Sequence, residues 1–277
     1  MRFFRLSLFL VLALSACGPR PSEPNEYQQN GFYSHPQALK TPVTLLVQER
    51  NGEPFYTASA FLIEKERGIF STAKHFVEHL GTEEFKIFCN GKVYQGLVMV
   101  TASTSDLAIV GIKDKFNPAD LPEPSILAES SPGAGALVRV QGIHPHPPHL
   151  QIDKILVEIM RGYYGMSWKK NEFVFDDLEA KVSNPDKEVK NKDIEGTPEG
   201  FGLISNTYIE IITAEDHRWS FGGLSGGPVV DGNNEVVGIV AHGEEGGDVL
   251  IGLVIVYQPW KVLRIVPIEE LHKLIRD

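Results

Sequence analysis

A serine among glycines, Gly223-Leu224-Ser225-Gly226-Gly227 in the stretch FGGLSGGPVV, is the first feature of this sequence that suggests chemistry. Glycine permits backbone shapes that side chains forbid, so such a serine marks either a plain turn or a nucleophile. A serine hydroxyl is a weak nucleophile. It needs a histidine to take its proton and a buried carboxylate to orient that histidine. Two upstream stretches offer these partners. His75 follows the small residues Ser71-Thr72-Ala73 at the end of an apolar run in IFSTAKHFVEH, and Asp106 stands at the head of the apolar run in TSDLAIVGI.

The elements that must position these groups read as strands. Short β-rich runs such as PVTLLVQER, FKIFCNGKVYQGLVMVT, GALVRVQGIH, TYIEIITA and EVVGIVAHG alternate with Gly, Asn and Pro. Asn-Gly in ERNGEP and CNGKV marks hairpins between such runs. Many short strands at this spacing indicate an all-β sandwich or barrel. The Pro- and Ser-rich residues 117–135 could join two β units of similar size. Residues 169–202, dense in Lys, Asp, Glu and Asn, read as a surface insertion, with room for a short helix. The closing VPIEELHKLIRD reads as a helix: Pro267 suits its first turn, Glu269 and Glu270 its positive end, and Ile268, Leu271, Leu274 and Ile275 form one apolar face. The G-x-S-x-G pattern also occurs at the nucleophile elbow of α/β-hydrolases, where the acid and histidine follow the serine. Here only His242 and His272 follow, and the flanks lack alternating helices, so that reading is set aside.

In order and local sequence the three stretches resemble the trypsin-like (chymotrypsin-fold) serine peptidases. STAKHF is similar to the T-A-x-H block of that family, SDLAIV to its D-[IL]-A block, and GLSGGPVV to G-x-S-G-G-P, in the order His, Asp, Ser. EVVGIVAHG resembles the strand lining the substrate cleft, and the C-terminal helix is similar to the one that closes the fold. The resemblance spans residues 57–277. It implies two six-stranded antiparallel β-barrels, the N-terminal one over 42–130 and the C-terminal one over 131–277. It also implies roles: Ser225 as nucleophile, His75 as general base and then acid, Asp106 orienting His75, and the N–H groups of Gly223 and Ser225 as an oxyanion hole. Ala241, His242 and Gly243 fall on the cleft strand, and Gly243 matches the glycine whose backbone pairs with extended substrate. No cofactor or metal is implied.

Departures refine the resemblance. Leu224 stands where many members carry an aspartate that pairs with a freed N-terminus, so activation of that kind is not expected. Phe76 replaces the cysteine that follows the histidine in animal members. Both features resemble bacterial members, including the HtrA type, although a PDZ domain after the closing helix is not expected. Trp219 occupies the place of the pocket aspartate of trypsin-type enzymes, which gives no support for a preference for basic side chains.

The N-terminus carries its own signal. Arg2 and Arg5, the apolar run Leu6 to Ala16, and then Leu14-Ser15-Ala16-Cys17 resemble a lipoprotein signal peptide over 1–16, with Cys17 as the lipidated residue. Residues 17–41 read as a tether. The resemblance implies a bacterial envelope location, at the outer membrane in a Gram-negative host because Gly18, not an aspartate, follows Cys17. Losing Arg2 and Arg5 with the leader takes the net charge from −10 to −12, which argues against a nucleic-acid partner. Of the two cysteines only Cys89 would remain as a thiol, a small buried residue without a disulfide. The histidines of HPHPPH (His144, His146, His149) read as an extended surface loop rather than a metal site, and His75 with His79 lacks a third ligand. Lys74 is expected to point away from His75. The functional expectation is a serine endopeptidase acting on peptides or proteins beside a membrane. The alternative is a non-catalytic binding or scaffold protein on the same fold.

Overall fold

The computed structural model describes residues 43–78, 84–146, 172–188, 207–217, 221–243, 247–251, 254–258 and 260–276. The leader with Cys17, the tether, His79, His149 and Trp219 lie outside the described residues.

Six strands close the first barrel: β1 (Val43–Arg50), β2 (Glu53–Glu64), β3 (Ile69–Thr72), β4 (Glu84–Cys89), β5 (Lys92–Thr101) and β6 (Ala108–Ile112), in the order β1-β2-β3-β6-β5-β4. All their pairings are antiparallel. The turns Asn51-Gly52 and Asn90-Gly91 have positive φ at both residues, the geometry that matches strand twist in a two-residue hairpin. Leu46, Leu62, Phe70, Phe85, Ile87 and Val110 fill the interior, together with Phe76 from the short helix α1 (Lys74–Glu78).

The second barrel comprises β7 (Leu137–His146), β8 (Glu172–Glu188), β9 (Thr207–His217), β10 (Pro228–Val230), β11 (Val236–Gly243) and β14 (Trp260–Pro267), closed in the order β10-β11-β14-β9-β8-β7. A separate hairpin, β12 (Gly247–Ile251) with β13 (Val254–Gln258), lies between β11 and β14 in the chain. The chain is thus all-β, two six-stranded antiparallel barrels followed by helix α2 (Ile268–Arg276). Phe61, Leu107, Ile109, Tyr208, Val230, Ile239 and Val266 form a buried cluster that joins the barrels, and Ile268 and Leu271 of α2 complete it. Ile275, expected on the same apolar face, is half exposed. Glu269 accepts from the N–H and hydroxyl of Ser131, and the Ser131 hydroxyl receives the Ile268 N–H at 3.1 Å, so the helix start is tied to the inter-barrel connection.

The charged segment read as an insertion over 169–202 supplies, over Glu172–Glu188, a full strand of the second barrel paired on both sides. Leu178, Ala180 and Val182 point inward while Glu179, Lys181 and Ser183 face solvent. That is the alternation of a half-buried strand, but its inward residues include only one large side chain over this stretch, so the outward charges dominate the composition. Likewise His144 and His146 belong to β7 and pair with β8 rather than standing in a loop.

Candidate active site

Sheet register brings His75 and Asp106 together. In the β3–β6 pair, Thr72 lies opposite Ala108. Three residues beyond Thr72 and two before Ala108, the two side chains meet across the end of the ladder. Asp106, buried, accepts the His75 backbone N–H at 2.8 Å on Oδ1 and holds Nδ1 at 2.7 Å on Oδ2. One carboxylate therefore fixes both the ring and the backbone of the same residue. Gln48 of β1 donates to the Phe76 carbonyl and pins α1 from below. Lys74 turns away, donating to the Ala102 carbonyl at 2.8 Å and pairing with Glu78 at 3.2 Å.

The pair polarises itself. Burial alone would push the Asp106 carboxyl up, but the charge and two hydrogen bonds of His75, with a smaller effect from His242, hold it below its usual value. Burial alone would lower His75, but the Asp106 charge and hydrogen bond, aided by Glu78, outweigh it and raise His75 above its ordinary 6.5.

Ser225 is presented by backbone. Leu224 N–H donates to the Phe221 carbonyl at 3.0 Å, and Gly223 has φ +98, the arrangement of a type II turn with glycine at its third position. A second turn follows, with Gly227 N–H on the Leu224 carbonyl at 2.8 Å. Gly226 has φ +83, and a Cβ there would lie 2.8 Å from Ala73 N and closer still to Ser59 O and Thr72 Oγ1. Only glycine lets the serine loop press this tightly on the end of β3, two residues from His75. The loop is fastened to β11 by Gly226 N–H to Val240 O (2.7 Å) and to the first barrel by Ser59 N–H to Ser225 O (2.8 Å).

The free donors are as informative as the bonded ones. Among the described residues, the N–H groups of Gly223 and Ser225 donate to no acceptor. The Ser225 hydroxyl donates to the Ala241 carbonyl at 3.3 Å and makes no hydrogen bond to His75. That carbonyl is available because the β11–β14 register shifts between Val240 and His242, leaving Ala241 outside the pairing. His242 and Gly243 resume the ladder opposite Arg264 and Leu263. His242 is half-buried and close enough for its charge to act on Asp106.

Other groups packed around the serine loop were not evident in the sequence. Phe221 packs against Gly243, where a Cβ would come within 2.9 Å of its ring. It also lies 5.0 Å from the His217 ring and 6.1 Å from Trp260 between centroids. His217 Nε2 is 3.2 Å from Asp176 Oδ2, and both side chains are fully buried. Asp176 falls in the segment misread as an insertion, and nothing in the local sequence marks His217 as its partner. Ser59, which touches the serine loop, carried no motif signal either. Cys89 is buried against Thr44, and burial pushes its thiol up to about 11, which makes it unreactive at neutral pH. Among the described residues no group of three or more His, Cys, Asp or Glu side chains could hold a metal ion.

No protein-family model matches this sequence. No curated relative matches it either. Solved structures do match its shape. The active form of the Rv3671c protease from M. tuberculosis superposes with a TM-score of 0.54 at 17% identity, covering 92% of this chain and 87% of that one. The MamO protease domain from Magnetospirillum magneticum superposes at 0.50 with 16% identity, covering 86% of this chain and 97% of the other. With its two closed barrels and C-terminal helix, the chain has the fold of the trypsin-like serine proteases.

Proposed function

We propose that the protein is a serine endopeptidase that works through an acyl-enzyme intermediate. The observation that carries this reading is the Asp106 carboxylate gripping both N–H groups of His75 beside a glycine-framed serine with two unbonded N–H donors. In this reading a peptide entering along Ala241–Gly243 frees the Ser225 hydroxyl from the Ala241 carbonyl. The Ser225 Oγ–H proton passes to His75 Nε2 as Oγ attacks the peptide carbonyl carbon. The charge that develops on the carbonyl oxygen is received by the N–H groups of Gly223 and Ser225, each such donor contributing on the order of 3 kcal/mol. His75 then returns the proton to the leaving amine. His75 takes a proton from water as the water oxygen attacks the acyl carbon, and hands it to Ser225 Oγ as the acyl–oxygen bond breaks, releasing the second product. Asp106 keeps Nδ1 protonated throughout, so that Nε2 is the basic nitrogen.

A fluorophosphonate probe tests this directly. Covalent labelling of the wild type that disappears in Ser225→Ala is expected. A folded wild type that neither labels nor cleaves any member of a peptide library would instead favour a non-catalytic binding protein. One observation supports that second reading: the Ser225 hydroxyl rests on Ala241, not on His75.

The N-terminal sequence adds a location. The Leu14-Ser15-Ala16-Cys17 motif supports lipid attachment at Cys17 and anchorage to the cell envelope, where a shared surface would raise the effective concentration of membrane-bound substrates. Metabolic labelling with an acyl-chain analogue, lost in Cys17→Ala, is the measurement that checks it.

A further inference from the structure

Ser59 lies near the middle of β2, is fully buried, and belongs to the first barrel, yet most of its polar contacts cross to the second. Its backbone N–H donates to the Ser225 carbonyl at 2.8 Å. Its hydroxyl lies 2.9 Å from the Gly223 carbonyl, accepts the Ile143 N–H at 2.8 Å, and has the Ile143 carbonyl at 3.2 Å. Its own carbonyl receives the Thr72 hydroxyl at 2.8 Å. A hydroxyl has one proton and two lone pairs: the proton goes to the nearer Gly223 carbonyl, and one lone pair takes the Ile143 N–H.

The peptide groups around Ser225 follow from these contacts. In a trans peptide the C=O and the next N–H point in opposite directions. The Gly223 carbonyl faces Ser59, and the Leu224 N–H of the same peptide closes the turn on Phe221. The Ser225 carbonyl also faces Ser59, and the Gly226 N–H of that peptide runs to Val240. Between them lies the Leu224–Ser225 peptide, whose carbonyl is taken by Gly227 N–H. Its N–H is therefore turned away from that bond, with its direction set by two clamped neighbours. We propose that Ser59 is a positioning residue: its hydroxyl and N–H, reaching across the barrel interface, aim the Ser225 N–H and hold the Gly223 turn for the developing oxyanion. The inference rests on the serine-peptidase reading and deepens it.

Ser59→Ala keeps the backbone N–H and removes only the hydroxyl, leaving the Gly223 carbonyl and Ile143 N–H without it. The full-length wild type, Ser59→Ala, Ser59→Cys and the control Thr44→Val are compared in three measurements. These are the second-order rate of fluorophosphonate labelling, kcat and KM on the best-cleaved library peptide, and affinity for the trifluoromethyl ketone of that peptide. Ser59→Ala is expected to lose about tenfold or more in kcat, in labelling rate and in ketone affinity together, with KM within about twofold. Ser59→Cys, a weaker donor of similar size, should fall between. Thr44→Val, which loses a buried hydroxyl of the same barrel bonded to Cys89, should lower only the thermal midpoint. A Ser59→Ala protein with wild-type kcat, one whose KM alone rises, or a Thr44→Val protein that slows equally would each overturn the positioning role and leave the peptidase reading standing. If Ser59→Ala does not fold, Ser59→Cys is judged by the same criteria. A wild type that neither labels nor cleaves overturns both.

Discussion

The two barrels share one architecture but contribute to the site in different ways. The first supplies side chains: His75 and Asp106 meet because antiparallel register places the ends of β3 and β6 side by side, and their ion pair is completed within that barrel. The second supplies backbone: a type II turn, a carbonyl at Ala241 that lies outside the ladder and takes the Ser225 hydroxyl, and two unbonded N–H groups. A side-chain pair tolerates small shifts because its rings and carboxylates can rotate to follow. Peptide dipoles cannot, so the serine loop is clamped from both sides, by Val240 of its own barrel and Ser59 of the other. Leu224, fully buried in the core of the second barrel, adds an apolar anchor.

This contrast can be broken experimentally. Ser225→Ala removes the proposed nucleophile, and turnover is expected to fall by at least about a thousandfold, measured on the best-cleaved peptide. Asp106→Asn leaves the fold but releases His75, and kcat should fall by about a thousand- to ten-thousandfold. Its pH profile separates the two barrels further. Because Asp106 raises His75, the neutral base is present only above that raised value, so wild-type kcat/KM should decline as pH falls through a midpoint above 6.5. In Asp106→Asn the charge is gone, and the midpoint should move to lower pH. A midpoint that stays put would show that the pair does not govern the base.

Gly226→Ala places a methyl against Ser59 O and Ala73 N at a positive φ, so a loss of about 2–4 kcal/mol in stability by denaturant unfolding is expected. Leu224→Ala should cost about 2–4 kcal/mol through the cavity it leaves in the second barrel. Cys89 reports on the first barrel alone. Its alkylation by iodoacetamide is expected to stay slow in Leu224→Ala if the barrels open separately. Rapid alkylation there would mean that the shared cluster of Phe61, Tyr208 and Val266 makes them one cooperative unit.

Much of this was legible in the residues themselves. The Asn-Gly turns, the apolar runs and the closing helix follow local rules that short segments obey wherever they occur. The strand Glu172–Glu188 was hidden, because its buried Phe175, Leu178, Ala180 and Val182 are interleaved with charges and it ends in Asn184-Pro185-Asp186-Lys187-Glu188, the composition of a surface loop. The buried Asp176–His217 pair was hidden for another reason: its members are 41 residues apart, and neither lies in a motif.

By itself the sequence determined which groups are candidates for chemistry, since His75, Asp106 and Ser225 sit in short blocks with small and glycine neighbours. It also determined the all-β character, through turn residues and alternation. Only the tertiary structure decided where the peptide dipoles around Ser225 point, that Ala241 has a carbonyl free of the ladder, and that Ser59 clamps the loop from the opposite barrel. The reason is physical: side-chain identity is written residue by residue, whereas the direction of a backbone N–H depends on what its neighbouring carbonyls find across the interface.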